Sequence, residues 1–199
     1  MRYDYVDPAD FALKQWHKKP PPIPKQNQLE DFHVKYGAGI RLEAGRLQGN
    51  AVGGGGPYDF INKLFCSVPG VLSPAGYRAY GALVYANNAN KSVQRNGEIR
   101  AGDILTFRNS LFGGNGWPNN GDSMAVGRPD HAAVVVDWDA AREEVKAYEQ
   151  GRVSNCVTLQ SFKIGDLRCG EVKVWRAVGR EWVGWDRNRQ RQELPHVLG

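Results

Sequence analysis

The chain has 199 residues, a formal net charge of +5, three cysteines and a hydrophobic content of 41%. This length can bury the core of one ordinary domain, and the apolar content excludes a chain that is disordered throughout. An odd number of cysteines without a CxxC pair excludes a disulfide framework, and no apolar run reaches the roughly 18 residues of a transmembrane helix. We therefore expect one domain in a reducing, cytoplasmic compartment.

Residues 1–27 are predicted to form an extended proline-rich arm, because four prolines lie between Pro20 and Pro24. Prolines lack a donor and fix φ, so this piece is neither helix nor central strand. Its spacing is Lys18-x-x-Pro21-x-x-Pro24, the three-residue repeat of polyproline II. Such a ridge fits the aromatic groove of an SH3 domain, whose acidic rim would accept the lysine. The alternative is a linker that lies across the domain surface.

Two helices are predicted next, within a folded domain that we place at residues 28–185. Pro57 is a favoured first helical residue, and apolar residues follow it at helical spacing. Ser73 and Pro74 predict the start of a second helix, which runs to Ala86. Segment 29–50 stays unassigned, since its alternation of Phe32, Val34 and Tyr36 is typical of a strand before glycines interrupt it.

A meandering sheet is predicted after these helices. A glycine-rich loop at 113–127 separates the first two strands, and a charged tail occupies 186–199. Helices followed by such a sheet indicate an α+β fold, with N-terminal helices packed on an antiparallel sheet. The predicted strands are 103–108, 132–138, 143–150, 155–160 and 171–177.

His131 begins one of these strands and is a candidate catalytic base. If the hairpin turns over 139–142 with Trp138 opposite Glu143, His131 faces Gln150, which would orient its ring. A one-residue bulge would bring Glu149 to the histidine instead, because strand side chains alternate with period two. Both arrangements stay open at this point.

A thiol hydrolase also needs a cysteine that is stabilised as a thiolate, commonly at a helix N-terminus. No cysteine stands at the start of the helix that begins at Pro57. Cys66 lies about two turns further along, where unpaired carbonyls disfavour a negative charge. We expect Cys66 to be a buried core thiol.

The order of these elements resembles the NlpC/P60 and CHAP branch of the papain-like cysteine-peptidase fold. Gly102-Asp103-Ile104-Leu105 is similar to that family's Gly-Asp strand, and Asp130-His131-Ala132-Ala133-Val134-Val135 is similar to its histidine strand. Tyr148-Glu149-Gln150 resembles the strand that carries its third polar residue. The resemblance covers about residues 50–150 and implies a hydrolase fold that lacks its nucleophile.

The chain as a whole resembles the C-terminal cysteine-proteinase-fold domain of fungal Bbc1 and Aim3 proteins. The resemblance rests on the proline-rich arm, the Gly-Gly-Gly-Gly-Pro-Tyr-Asp-Phe segment, the histidine strand and the closing segment from Gly165 to Arg176. It implies cortical actin patches, endocytosis, and long proteins in which SH3 modules and proline-rich segments precede the domain.

We expect a non-catalytic scaffold module whose arm binds SH3 domains through Lys18, Pro21 and Pro24. The alternative is a thiol peptidase or amidase that uses Cys66 as nucleophile, His131 as base and Gln150 or Glu149 as orienting residue. Neither reading needs a cofactor or metal, because the four histidines are scattered and lack ligand spacing. The charges are interspersed, so we expect no nucleic-acid partner.

Overall fold

The computed structural model describes residues 21–74, 76–113 and 123–183. Lys18, most of the predicted loop at 113–127 and the predicted tail at 186–199 lie outside these residues.

The first helical run occupies most of the segment that the sequence pattern left unassigned. It consists of α1 (Gln26–Phe32), a π-helical segment (His33–Gly37) and α2 (Ala38–Arg46). The strand-like alternation is misleading, because its apolar residues do not share one face: Val34 is 77% exposed, whereas Tyr36 is buried. The inward side of the run is marked by four residues with at most 1% exposure: Leu29, Tyr36, Ile40 and Ala44.

The helix α3 (Pro57–Ser67) is confirmed where Pro57 predicted it. Gly56 precedes it with extended backbone, and the helix ends before Val68. Its inward side is fully apolar and packs against the sheet, through Phe60, Ile61, Leu64 and Phe65.

One antiparallel sheet of seven strands follows the helices. The strands are β1 (Ala82–Asn88), β2 (Ser92–Arg95), β3 (Ile104–Phe112), β4 (Met124–Asp139), β5 (Glu144–Glu149), β6 (Thr158–Lys163) and β7 (Leu167–Arg176). Their order in the sheet is β2-β1-β7-β3-β4-β5-β6. The predicted arrangement of N-terminal helices before an antiparallel sheet is therefore confirmed.

The predicted second helix, from Ser73 to Ala86, is wrong. Its second half is β1, which lies between β2 and β7 in the sheet. Gly81, just before β1, has a φ of +123°, and a Cβ there would collide with the carbonyl of Arg176. Pairing with β7 and this close approach outweigh the local helix signal of Ser73 and Pro74.

The two faces of the sheet carry separate apolar clusters. The outer face, which includes Ile104, Ala132 and Val134, packs against α2 and α3. The inner face carries a cluster that extends from β1 to β6 and includes residues such as Phe107 and Ala133. Arg95 of β2 reaches Glu143, in the turn between β4 and β5, at 3.0 Å. The sheet therefore curls over its inner face.

Candidate functional site

His131, in the middle of β4, and Glu149, the last residue of β5, form a buried pair. The predicted strand start at His131 is wrong, because β4 already begins at Met124. His131 Nε2 lies 2.8 Å from Glu149 Oε2, and the two side chains are 6% and 0% exposed. An ionised carboxylate can only accept, so Nε2 donates and Nδ1 is left as the ring nitrogen that could take up a proton. Arg152 binds the same carboxylate, with Nε 2.9 Å from Oε2 and Nη2 2.7 Å from Oε1.

A bulge in the hairpin determines which residue meets the histidine. The register shifts between Val135 and Asp137, so that Trp138 pairs with Val145 and Ala133 pairs with Glu149. The bulge-free register, which paired Trp138 with Glu143 and His131 with Gln150, is wrong. The structure has the bulged alternative, in which Glu149 faces His131.

Opposing effects act on the ionisation of Glu149. Burial raises the pKa of its carboxyl group, because the charged form is desolvated. Hydrogen bonds from His131 and Arg152 favour the charged form and outweigh burial, so the pKa of Glu149 is lowered from its ordinary value. The cluster therefore holds an ionised carboxylate.

Gln150 points away from His131 and holds the glycine-rich loop before α3. Its Oε1 accepts from the Val52 amide at 2.8 Å, and its Nε2 donates to the carbonyls of Val52 and Gly56 at 2.9 and 3.0 Å. Three hydrogen bonds to backbone, with no exposure of the side chain, give Gln150 a positioning role at the start of α3.

Cys66 is not brought to the histidine. The buried side of α3 packs on the outer face of the sheet, whereas His131 lies beside Phe107 of the inner face, with ring centroids 6.1 Å apart. Within the described residues, no hydrogen bond joins a cysteine sulfur to His131. The prediction of a buried thiol is also wrong: Cys66 is exposed, because Leu64 and Phe65 take the inward positions.

Aromatic side chains fill the start of α3, where a thiol hydrolase would present its nucleophile. Phe60 is fully buried, and the rings of Tyr58 and Tyr77 lie 4.5 Å apart. Burial, followed by the nearby Tyr58 and Asp130, raises the pKa of Tyr80 to about 12. No cysteine stands at this helix start, and its acidic residue, Asp59, accepts a hydrogen bond from the Gly54 amide at 2.7 Å.

A small open cleft of about 70 Å³ lies beside Tyr77. Two ion pairs line it: Arg78 lies 3.8 Å from Asp130, and Lys173 lies 2.7 Å from Glu171. Arg108 stands between those carboxylates in the sheet register, opposite Asp130 in β4 and Glu171 in β7. The cleft therefore carries both signs of charge in nearly equal number.

The Gly-Asp turn before β3 has a packing role. The Asp103 carboxylate accepts two hydrogen bonds of 2.9 Å from the Arg176 guanidinium, and both side chains are 1% exposed. Arg176 also donates to the carbonyls of Leu29 and Glu98. One guanidinium thus ties α1, the loop before β3 and the end of β7 together.

Arg152 and Arg176 are the two site residues that the sequence reasoning missed. Arg152 follows Glu149 by three residues in a turn, a spacing that could have suggested the pair. Arg176 is 73 residues from Asp103, so no local pattern connects them.

Part of the proposed SH3 motif lies against the domain. Pro24 is buried and Pro21 is partly buried, whereas Pro22 and Ile23 are exposed. Lys18, the basic residue of the motif, lies outside the described residues.

Within the described residues, no three His, Cys, Asp or Glu side chains come together as a metal site requires. None of the helices there is both long and apolar enough to cross a membrane.

Comparison with known proteins identifies the family of this chain. The description of the matching family is the AIM3/BBC1 cysteine proteinase-fold domain, and the match covers residues 14–187. The chain belongs to this family. It is 37% identical over 175 residues to the SH3 domain-containing protein C23A1.17 of Schizosaccharomyces pombe. That alignment covers 87% of this chain but only 11% of the relative's length. No solved structure matches the chain.

Proposed function

We propose that this chain is a non-catalytic protein-interaction module with a papain-like fold of the NlpC/P60 or CHAP kind. The observation that carries the proposal is the separation of His131 from Cys66 by the sheet. A thiol hydrolase needs its thiol within hydrogen-bond reach of its base, about 3 Å, and both must face one cleft. The buried pair of His131 and Glu149, held by Arg152, then stabilises the curled sheet.

The module acts as a scaffold in a cortical actin-patch protein of the cytoplasm, with a role in endocytosis. The resemblance to fungal Bbc1 and Aim3 proteins supports this part of the proposal. Its partners are SH3 domains that recognise Lys18, Pro21 and Pro24 in the arm. The fission-yeast relative supports this partner class, because its own name records an SH3 domain.

The rate of Cys66 alkylation tests the absence of catalysis. Cys156 and Cys169 are replaced by alanine, and labelling of Cys66 is followed by mass spectrometry from about pH 5 to about pH 9. Because Cys66 is exposed, it will be labelled in the folded protein. We expect the same rate at each pH in the parent and in His131→Ala.

A faster reaction near neutral pH that His131→Ala abolishes would contradict this expectation. It would favour the thiol peptidase or amidase, with Cys66 as nucleophile and His131 as base. Glu149→Gln and Gln150→Ala would then separate the two candidate orienting residues, since only Glu149 contacts the imidazole.

Titration of the full chain with the SH3 domain of the fission-yeast relative tests the partner class. We expect binding that Pro21→Ala and Pro24→Ala both abolish, because a polyproline II ridge presents these two prolines to the aromatic groove. Pro22→Ala is the matched control, since Pro22 is exposed and lies off that ridge. Equal affinity in all four chains would reject the arm as the ligand.

A further inference from the structure

An SH3 groove and this chain's own domain would compete for the same prolines of the arm. Polyproline II has three residues per turn, so Lys18, Pro21 and Pro24 share one ridge. The described part of the arm buries Pro24, partly covers Pro21 and leaves Ile23 74% exposed. The two prolines that an SH3 domain would read, Pro21 and Pro24, are therefore the ones that this chain's own domain covers.

The end of the arm is fixed to α1. Lys25 has φ −72° and ψ 161°, the polyproline II region, and its carbonyl accepts from the Leu29 amide at 3.0 Å. The Leu29 carbonyl in turn accepts from the buried Arg176 at 3.0 Å. Pro24 thus stands one residue before a segment that is hydrogen-bonded into the core.

We infer that the domain masks the SH3 motif of its own arm, so that an SH3 domain can bind only after Pro24 leaves its buried site. This inference rests on the proposed SH3 partner. The same proline cannot fill an SH3 groove and pack on this domain at once. An SH3 domain therefore binds only the minor population of chains whose arm is released. The apparent affinity is the affinity for the released arm multiplied by the fraction of chains in that state.

A comparison of masked and unmasked motifs tests the inference. The reference is a peptide of residues 14–27, whose proline segment needs no tertiary structure to adopt polyproline II. Its affinity for the SH3 domain of the fission-yeast relative is measured beside that of the full chain. We expect the full chain to bind at least about tenfold more weakly than the peptide.

A variant of the full chain should remove part of this difference without altering the motif. A Cβ at Gly97 would lie 2.8 Å from Leu29 Cδ1 and 3.3 Å from Gln26 Oε1, so bulk there displaces the first turn of α1. We expect Gly97→Val to bind the SH3 domain more tightly than the parent chain. Ser92→Val, on the exposed strand β2, is the control and should match the parent.

Hydrogen exchange gives a second readout, which does not depend on that variant folding well. The Leu29 amide should exchange faster when the parent chain is saturated with SH3 domain, because release of Pro24 loosens the first turn of α1. Equal affinities of peptide and chain, with unchanged exchange at Leu29, would overturn the masking but leave the SH3 proposal intact. Failure of the peptide itself to bind would overturn both.

Discussion

Arg176 has nearly all its hydrogen-bonding capacity satisfied inside the protein. Its guanidinium meets the Asp103 carboxylate and two backbone carbonyls, at distances from 2.7 to 3.0 Å. A buried ion pair contributes little over a well-packed apolar pair, but removal of one partner leaves an uncompensated charge. At the residue scale, Asp103 is therefore a position where a single change has a large effect.

Asp103→Ala should lower the free energy of unfolding by about 3 to 5 kcal/mol, because the buried Arg176 would keep only the more distant Glu30 carboxylate, 3.8 Å away. Urea unfolding followed by tryptophan fluorescence measures the change. Arg95→Ala is the control, since its ion pair with Glu143 has side chains 59% and 43% exposed and should cost at most about 1 kcal/mol. Similar losses in the two variants would contradict the role given to Asp103.

Glu149 makes stability depend on pH in the acidic range. Its pKa is lowered in the folded protein, so the unfolded chain binds the proton more tightly, and its stabilising contribution is present above the ordinary pKa of about 4.3. That contribution is lost as the pH falls through the lowered pKa. We expect Glu149→Gln to be less stable at neutral pH and to lose less stability on acidification below about pH 4.5.

Urea unfolding of parent and Glu149→Gln at a series of pH values checks this prediction. Glu144→Gln is a suitable control, because its carboxyl group lies on the same strand and is not part of the cluster with His131 and Arg152. Parallel stability curves for parent and Glu149→Gln would show that Glu149 titrates normally.

At the scale of elements, the π-helical segment and β3 meet at a point with no room for a side chain. Gly102 has a φ of +89°, and a Cβ there would collide with the carbonyl of Gly37. This close approach places Asp103 where Arg176 reaches it. Gly102 therefore allows the close backbone contact, and Asp103 forms the ion pair with Arg176.

Gly102→Ala should be clearly more destabilising than Gly49→Ala. Both glycines have positive φ, at +89° and +81°, but an added Cβ at Gly49 meets nothing within 4 Å. Gly49→Ala should then cost about 1 kcal/mol for the backbone alone, and Gly102→Ala at least about twice that. Chemical unfolding of both variants measures the difference, and equal losses would mean that the helix moves aside at little cost.

At the scale of the whole molecule, the curled sheet divides the protein into two compartments. α2 and α3, which carries the candidate thiol, pack on the outer face, whereas Leu29 of α1 and the His131 cluster lie on the inner side. This division keeps Cys66 of α3 apart from His131. The proline arm enters from the side of α1, whose first turn lies over Gly97.

Several elements were predictable because their signals are local. Pro57 and the apolar spacing after it were enough for α3, and the alternating apolar residues were enough for most strands from β3 to β7. The strands β1 and β2 were not, since β1 exists through its pairing with β7, about 90 residues away. Pairing over such a separation leaves no trace in a short window of sequence.

The candidate site was likewise predictable only in part. The strand order brought His131 close to the 149–150 pair, but a single bulge after Val135 decided for Glu149 over Gln150. A bulge shifts the strand register by one residue, and no residue type in this sequence marks its position. The exposure of Cys66 likewise depended on which side of α3 meets the sheet.

Local patterns in the sequence were enough to predict the α+β class, the position of α3 and a strand that contains His131. The ridge of Lys18, Pro21 and Pro24 stays a prediction, because Lys18 lies outside the described residues. These predictions follow from periodicity and from the fixed backbone of proline, which act over a few residues. Only the tertiary structure decided that His131 binds Glu149, that Cys66 lies across the sheet and that Pro24 is buried. Those outcomes depend on strand register and on packing between distant segments, which no local preference encodes.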